Sequence, residues 1–132
     1  MNKLKFIFAF VAIFSSHIAS GEDILIFGGD NSKEYLGCLS CNEFSSESVF
    51  NEFSKYGWQN DFATWNPFGK FKNPFSSDSA CNEFASNPPK LVDRKGNFYG
   101  FLTLNEFKTN SICGSRGNSK ICTALKVMCK ED

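Results

Sequence analysis

The sequence predicts an α+β fold dominated by β-hairpins, and three observations lead to this prediction. Two related stretches are typical of hairpins, and we expect them to form one antiparallel sheet. Aromatic-rich one-turn repeats built on the tripeptide Asn-x-Phe link the hairpins. Half of the six cysteines lie near the C-terminus, which predicts a tail stapled by disulfides.

Residues 1–21 have the composition of a secretory signal peptide that is removed. Lys3 and Lys5 form the positive n-region, and the apolar run 6–14 has the length of an h-region. Small residues lead up to Gly21, and we expect cleavage after Gly21 or else after Ser20. The alternative is an uncleaved membrane anchor, but a span needs about 20 apolar residues, far more than this run supplies.

The remaining 22–132 are expected to form one small disulfide-containing domain. Its parts are a hairpin at 22–44, a repeat region at 45–89, a second hairpin at 90–107 and a Cys-rich tail at 108–132. Without the two leader lysines, 12 basic and 14 acidic residues remain, so the net charge is about −2. This composition gives no support for nucleic-acid binding, which needs a basic surface. No other stretch is long enough to span a membrane, and we expect a secreted or periplasmic protein.

The hairpin prediction comes from two segments that align with each other. In 24–41 an apolar run and a Gly/Asn/Asp turn precede YLGCLSC, and in 90–104 a similar run and turn precede FYGFLTL. Gly37 aligns with Gly100. Apolar strands bounded by such turns are typical of β-hairpins.

Five copies of Asn-x-Phe carry the repeat pattern, and the copies from Asn51 through Asn66 to Asn82 are 15 and 16 residues apart. In a structural interpretation, the asparagine closes an Asx turn and the phenylalanine is a buried knob. In a functional one, the adjacent glutamates are catalytic or calcium-binding. Repetition favours structure, because chemistry needs one or two special carboxylates. The five copies are Asn42-Glu43-Phe44, Asn51-Glu52-Phe53, Asn66-Pro67-Phe68, Asn82-Glu83-Phe84 and Asn105-Glu106-Phe107.

The region 45–89 is rich in serine, asparagine and aromatic residues, and we expect single helical turns or tight turns there. Pro67 prevents a long helix in the middle copy. A low-complexity disordered linker is the alternative. The regular aromatic positions argue against it, because disordered segments are poor in aromatics.

An even number of cysteines in an exported chain predicts disulfides. Six cysteines permit 15 connectivities, and if all pair, at least one bridge must join body and tail. The CxxC spacing of the first two is also that of redox sites, but no helix follows it, so a structural bridge is favoured. The six are Cys38, Cys41, Cys81, Cys113, Cys122 and Cys129.

The tail is predicted as a helix, with a strand as the alternative. Ile121, Leu125 and Met128 have the spacing of one helix face. Cys113 and Cys122 flank a flexible loop that a bridge could close.

The predicted mature chain contains no histidine, because His17 lies in the leader. This excludes Ser-His-Asp and Cys-His catalysis, a histidine general base and histidine-ligated metals. A single CxxC without histidine does not make a zinc site, and the oxygen-rich loop 30–34 lacks EF-hand spacing. We therefore predict neither a metal nor a cofactor.

The motif YLGCLSCNEF, the Ser-x-Ser-x-x-x-Asn-x-Phe units and NPPKLVD followed by GNFYG resemble a group of small secreted bacterial proteins. Their usual form runs GCLNCN, then repeats of the type SxSxxNxYGxYGSxYS, then NPPxxVDxxGxFYGxLTxN. The resemblance covers Tyr35 to Phe107. This chain departs from it by using Phe for Tyr, losing several glycines and adding the Cys-rich tail. The resemblance implies a bacterial, exported origin and transfers no catalytic residue.

These observations predict a non-enzymatic binding or inhibitory module with an unknown protein or glycan partner. Tyr56, Trp58 and Trp65 are the predicted recognition surface, since they lie in the most irregular stretch; burial is the alternative. Other hypotheses are a carboxylate-based glycan hydrolase and a structural cell-envelope or surface protein.

Overall fold

The computed structural model describes residues 22–59, 65–66 and 68–130. The predicted signal peptide, 1–21, lies outside these residues. Within the described ranges, no helix is long and apolar enough to cross a membrane.

Four short strands form one antiparallel sheet in the order β2-β1-β3-β4. They are β1 Leu25–Gly28, β2 Glu34–Cys38, β3 Lys90–Val92 and β4 Phe98–Phe101. A 3₁₀ turn at Asp30–Ser32 connects β1 to β2. The prediction of two hairpins in a single antiparallel sheet is confirmed.

The two hairpins have matching strand pairing, which indicates an approximate two-fold relation between them. The central strands β1 and β3 pair with Ile26 opposite Leu91, and each of these residues also faces a glycine of its own hairpin partner. The register shifts by one residue after Ile26 and after Leu91. The extra residue of each β-bulge lies in the outer strand, at Leu36 in β2 and at Tyr99 in β4. Gly37 in β2 and Gly100 in β4 are therefore equivalent, and they lie 63 residues apart.

These two glycines allow close approach of the chain that follows each hairpin. Gly37 has φ 117° and Gly100 has φ 121°, a region that favours glycine. A Cβ atom at Gly37 would lie 2.8 Å from two side chains. A Cβ atom at Gly100 would lie 2.8 Å from the backbone oxygen of Asn110. The following turns form parallel bridges to the end of each outer strand, Cys38 with Ser48 and Phe101 with Ser111.

The tail folds as helix α1, Ser119–Lys130, which confirms the helix prediction over the strand. The Oδ1 atom of Asn118 accepts hydrogen bonds from the N–H groups of Lys120 and Ile121 at the helix start, an N-cap arrangement. The buried face of α1 joins a core shared with the sheet and the turns. From α1 this core receives Ile121, Cys122, Leu125 and Met128.

All six cysteines form disulfides: Cys38–Cys41, Cys81–Cys129 and Cys113–Cys122. The CxxC pair is thus a bridge, and Cys113–Cys122 closes the loop that the two residues flank. Cys81–Cys129 joins the body to the tail, as the distribution of cysteines requires.

Candidate binding surface

The Asn-x-Phe tripeptides fold as one kind of turn. In each described copy, the asparagine Oδ1 accepts a hydrogen bond from the backbone N–H of the phenylalanine at 2.8–3.1 Å. The asparagine carbonyl accepts a second bond, from the N–H three residues on, which closes a β-turn. The side chain thus fixes the backbone of its own turn. The six described copies begin at Asn42, Asn51, Asn66, Asn73, Asn82 and Asn105.

One of these copies, Asn73-Pro74-Phe75, is not among the five predicted above, although its residues repeat those of Asn66-Pro67-Phe68. A further match in the sequence, Asn60-Asp61-Phe62, falls outside the described residues. When these two further copies are included, two series with a spacing of nine residues appear in the sequence. One series is Asn42, Asn51 and Asn60, and the other is Asn73 and Asn82. This nine-residue spacing is the sequence signal that finds them.

The backbone completes one coil in nine residues, because backbone hydrogen bonds join residues that are nine apart. Neighbouring hydrogen-bonded backbone segments lie about 4.8 Å apart. Phe44 and Phe53 therefore occupy the same corner of successive coils, and so do Phe75 and Phe84. The backbone bonds that join residues nine apart run from Cys38 N to Glu47 O, Trp58 N to Val49 O, Ala80 N to Phe71 O and Phe101 N to Asn110 O.

The phenylalanine rings of these turns lie at the surface, with 77–92 % of each residue exposed. The prediction that they are buried knobs is wrong, because the ring projects from the apex of the turn. The inward positions belong to small residues such as Ser48 and Ser79, which are fully buried and whose hydroxyls accept backbone N–H groups two residues on. The exposed set is Phe44, Phe53, Phe68, Phe75, Phe84 and Phe107, and we call it the phenylalanine tips.

Of the three aromatic residues predicted as a recognition surface, both tryptophans are buried. Trp58 and Trp65 are 2 % and 1 % exposed, and the indole N–H of Trp65 donates to the carbonyl of Leu36 at 3.0 Å. Tyr56 is half-buried, with its ring 5.0 Å from that of Tyr35. As an exposed surface the prediction is wrong for both tryptophans, because their rings pack in the hydrophobic core. Burial, the alternative interpretation, describes them.

Acidic side chains accompany most of the phenylalanine tips. A glutamate stands directly before four of the rings, and proline takes its place in the other two copies. None of these four glutamates forms an ion pair with another residue that the structure describes. Four of the six tips therefore carry an acidic side chain directly before the apolar ring. The glutamates are Glu43, Glu52, Glu83 and Glu106.

A polar network joins the two hairpins at one end of the sheet. The Tyr35 hydroxyl donates to Glu47 at 2.7 Å, and Arg94 donates to Glu47 at 3.3 Å and to Asp23 at 3.1 Å. The bond from Tyr35, followed by the charge of Arg94, lowers the pKa of Glu47. Burial, followed by the contact with Glu47, raises the pKa of Tyr35. These bonds tie the turn at Arg94 to the first hairpin and to the turn that follows it, so the network contributes to the fold.

Asp93 anchors the turn of the second hairpin. Its carboxylate accepts hydrogen bonds at 2.9 Å from the N–H groups of Lys95 and Asn97, the Asn97 side chain and the Tyr99 hydroxyl. Burial acts to raise the pKa of Asp93, but these bonds outweigh it and hold the pKa at about 2. The carboxylate is thus a fixed acceptor inside the turn.

One cluster in the described part of the chain has the spacing of metal ligands. The candidate ligand atoms of Asp23, Cys38 and Cys41 lie within 4.8 Å of one another. The two sulfurs are joined to each other as a disulfide, so neither supplies the thiolate that binds a metal. This cluster therefore contributes to the fold.

Comparison with known proteins assigns no family to the chain. No family model, curated protein or solved structure matches it. Turn geometry, exposure and charge therefore carry the argument for function.

Proposed function

We propose that the mature chain is an exported, non-enzymatic binding module that holds the apolar face of a protein or glycan partner on its phenylalanine tips. The observation that carries this proposal is the exposure of six rings, 77–92 % each, at equivalent positions of equivalent turns. Single apolar residues on a surface are ordinary, but a repeated, fixed set is typical of an interaction surface.

The energetics support binding as the reason for these rings. A ring that is exposed in the folded chain contributes little to folding, whereas its burial on a partner is worth about 1.5–3 kcal/mol. The asparagine bonds hold the backbone of each tip before a partner arrives. Such preorganisation lowers the entropy lost on association.

A non-enzymatic role is supported by the residue types available. The one histidine lies in the predicted leader, and the tip glutamates occupy equivalent positions rather than forming one special pair. Two tips carry proline instead of glutamate, so the position is permissive. Export is supported by the leader composition and by three disulfides, which persist in oxidising compartments.

The test is capture of a partner from culture supernatant or periplasmic extract with a triple variant, F44S/F53S/F84S. Loss of three rings is expected to weaken binding about 100-fold or more, while thermal stability changes little, because the rings are exposed. The matched control, E43Q/E52Q/E83Q, alters the neighbouring side chain of the same turns and keeps the partner.

Equal capture by wild type and the ring variant would overturn the proposal. Two other results point to the other hypotheses. Self-association of the purified chain that the ring variant loses, with no second protein bound, indicates a structural surface protein. Glycan turnover that the glutamate control abolishes indicates the hydrolase.

A further inference from the structure

A groove of about 580 Å³ lies beside the outer strand β4, against the turns that follow it. Its volume is in the range of small-ligand sites. Its walls come from residues 98–100 on one side and from 106–112 and 114–118 on the other. The side chains that matter for its chemistry are Phe98, Tyr99, Glu106, Phe107, Lys108 and Arg116.

The two-fold relation of the hairpins explains why this groove is open. In the first half, the ring of Tyr35 packs 5.0 Å from Tyr56 and its hydroxyl bonds to Glu47. Equivalent residues of the two hairpins lie 63 residues apart, so Ser119 is the counterpart of Tyr56. Helix α1 begins at Ser119, and the chain takes a different course there. Ser119 therefore supplies no aromatic ring to pack beside β4 as Tyr56 packs against Tyr35. Phe98, the counterpart of Tyr35, also lacks the hydroxyl.

Aromatic surface is available in the groove. Phe98 and Tyr99 are 46 % and 47 % exposed, and Phe107 is 81 % exposed. The hydroxyl of Tyr99 is held by Asp93 at 2.9 Å, which fixes the direction of its ring. Flat ligand rings pack on such surfaces in offset or edge-to-face contacts.

The charged side chains of the groove differ in their contacts. Lys108 already lies 4.5 Å from the centre of the Phe101 ring and 3.4 Å from the carbonyl of Ser86. Arg116 is exposed and makes no ion pair or hydrogen bond with any residue in the described ranges. Glu106 is the single acid among the lining residues, against two bases. The groove thus offers a planar guanidinium, which suits a carboxylate.

From this combination we propose that the groove binds a ring that carries a carboxylate, either an aromatic carboxylate or a uronic acid unit of a glycan. The ring contacts Phe98, Tyr99 and Phe107, and the carboxylate pairs with Arg116. This site shares Phe107 with the phenylalanine tips, but it does not depend on the tips at Phe44, Phe53 and Phe84.

Calorimetric titration of the whole mature protein tests the proposal with two acidic probes, benzoate and a galacturonate oligomer. Their neutral counterparts are benzamide and a galactose oligomer. We expect one acidic probe to bind with a dissociation constant below about 1 mM, and its neutral counterpart to bind at least tenfold more weakly. Whichever acidic probe binds identifies the source of the carboxylate.

Matched variants locate the ligand. Arg116→Gln is expected to lower affinity for the acidic probe about tenfold or more without changing the neutral one, whereas Lys126→Gln, on the exposed face of α1, changes neither. Phe107→Ala weakens both, and Phe44→Ala, the equivalent tip of the first half, weakens neither. Circular dichroism confirms that each variant is folded.

Two results would overturn the groove proposal: no heat with either acidic probe at about 10 mM, or unchanged affinity in Arg116→Gln. The triple variant F44S/F53S/F84S keeps the groove intact and is expected to bind the acidic probe normally. Failure of the groove proposal and failure of the proposed function are therefore distinguishable.

Discussion

At the scale of the residue, one side-chain amide decides what each repeat does. Asn51 shows this most fully, because its Oδ1 accepts the N–H of Phe53 and its Nδ2 donates to the carbonyl of Ser45 at 3.0 Å. Asn82 makes the same two bonds to Phe84 and Ser76. The amide thereby connects adjacent turns, and the ring that follows it points to solvent.

Asp93 supplies a residue-scale prediction about pH. Its pKa of about 2 in the folded chain lies below the ordinary value of 3.8, so its contribution to stability is present above pH 3.8 and is lost as the pH falls to about 2. Asp93→Asn is therefore expected to be less stable than wild type at pH 6, with a difference that shrinks between pH 4 and pH 2. Urea unfolding across this range measures it.

The control for this prediction is Glu52→Gln, on an exposed turn without an ion pair in the described ranges. It is expected to follow the wild-type pH profile. A stability difference for Asp93→Asn that stays constant from pH 6 to pH 2 would contradict the assignment of Asp93 as the titrating anchor.

Residue roles could be predicted from sequence only where chemistry dictates them. An even number of cysteines behind a predicted leader indicates disulfides, and asparagine is a common turn former. Burial of the phenylalanines was mispredicted, because hydrophobicity favours the core while position in the turn places the ring at the apex. The tryptophans took the core positions instead, where Trp65 finds a backbone acceptor on Leu36.

At the scale of the element, the duplicated hairpins depend on glycine at one position of each outer strand. A Cβ atom at Gly100 would meet the backbone oxygen of Asn110 at 2.8 Å, and one at Gly37 would meet two side chains at the same distance. The turns that follow pack directly against these sites. The glycines therefore set how closely the repeats approach the sheet.

Substituting these glycines by alanine tests the point. Gly100→Ala is expected to lower the free energy of unfolding by about 2 kcal/mol or more, since the positive φ adds strain and the contact adds overlap. Gly96→Ala is the matched control, because Gly96 also has a positive φ of 87° but no atom within 4 Å, and we expect about 1 kcal/mol. Urea denaturation compares them; equal losses would contradict the close-approach argument.

The hairpins and the helix could be predicted because their patterns are local. Strand runs ended at Gly/Asn/Asp turns, and the apolar spacing from Ile121 to Met128 matched one helix face. The nine-residue coil does not follow from the spacing of Asn51, Asn66 and Asn82, because this set omits the copy at Asn73. The order of the strands and the open groove depend on packing between distant segments, which no local pattern records.

At the scale of the whole molecule, three disulfides hold a small core together. Cys81–Cys129 spans 48 residues and fixes α1 to the repeat region, whereas Cys113–Cys122 spans nine and Cys38–Cys41 spans three. A cross-link that closes a longer loop restricts the unfolded chain more. Of the three bridges, the longest is therefore expected to stabilise the fold most.

Paired cysteine-to-alanine variants give the expected order of losses. Loop closure predicts about 4 kcal/mol for C81A/C129A, about 2.6 for C113A/C122A and about 1.6 for C38A/C41A. Guanidinium unfolding of the three double variants measures them under identical conditions. A smaller loss for the 81–129 pair than for the 38–41 pair would contradict this ranking.

The central claim is that the fold buries its tryptophans and presents its phenylalanines. Hydroxyl-radical footprinting of the oxidised, mature protein, read by mass spectrometry at each residue, tests it most directly. We predict rapid labelling of Phe44, Phe53 and Phe84 and protection of Trp58 and Trp65, despite the higher intrinsic reactivity of indole. Rapid labelling of the tryptophans with protected phenylalanines would contradict the account.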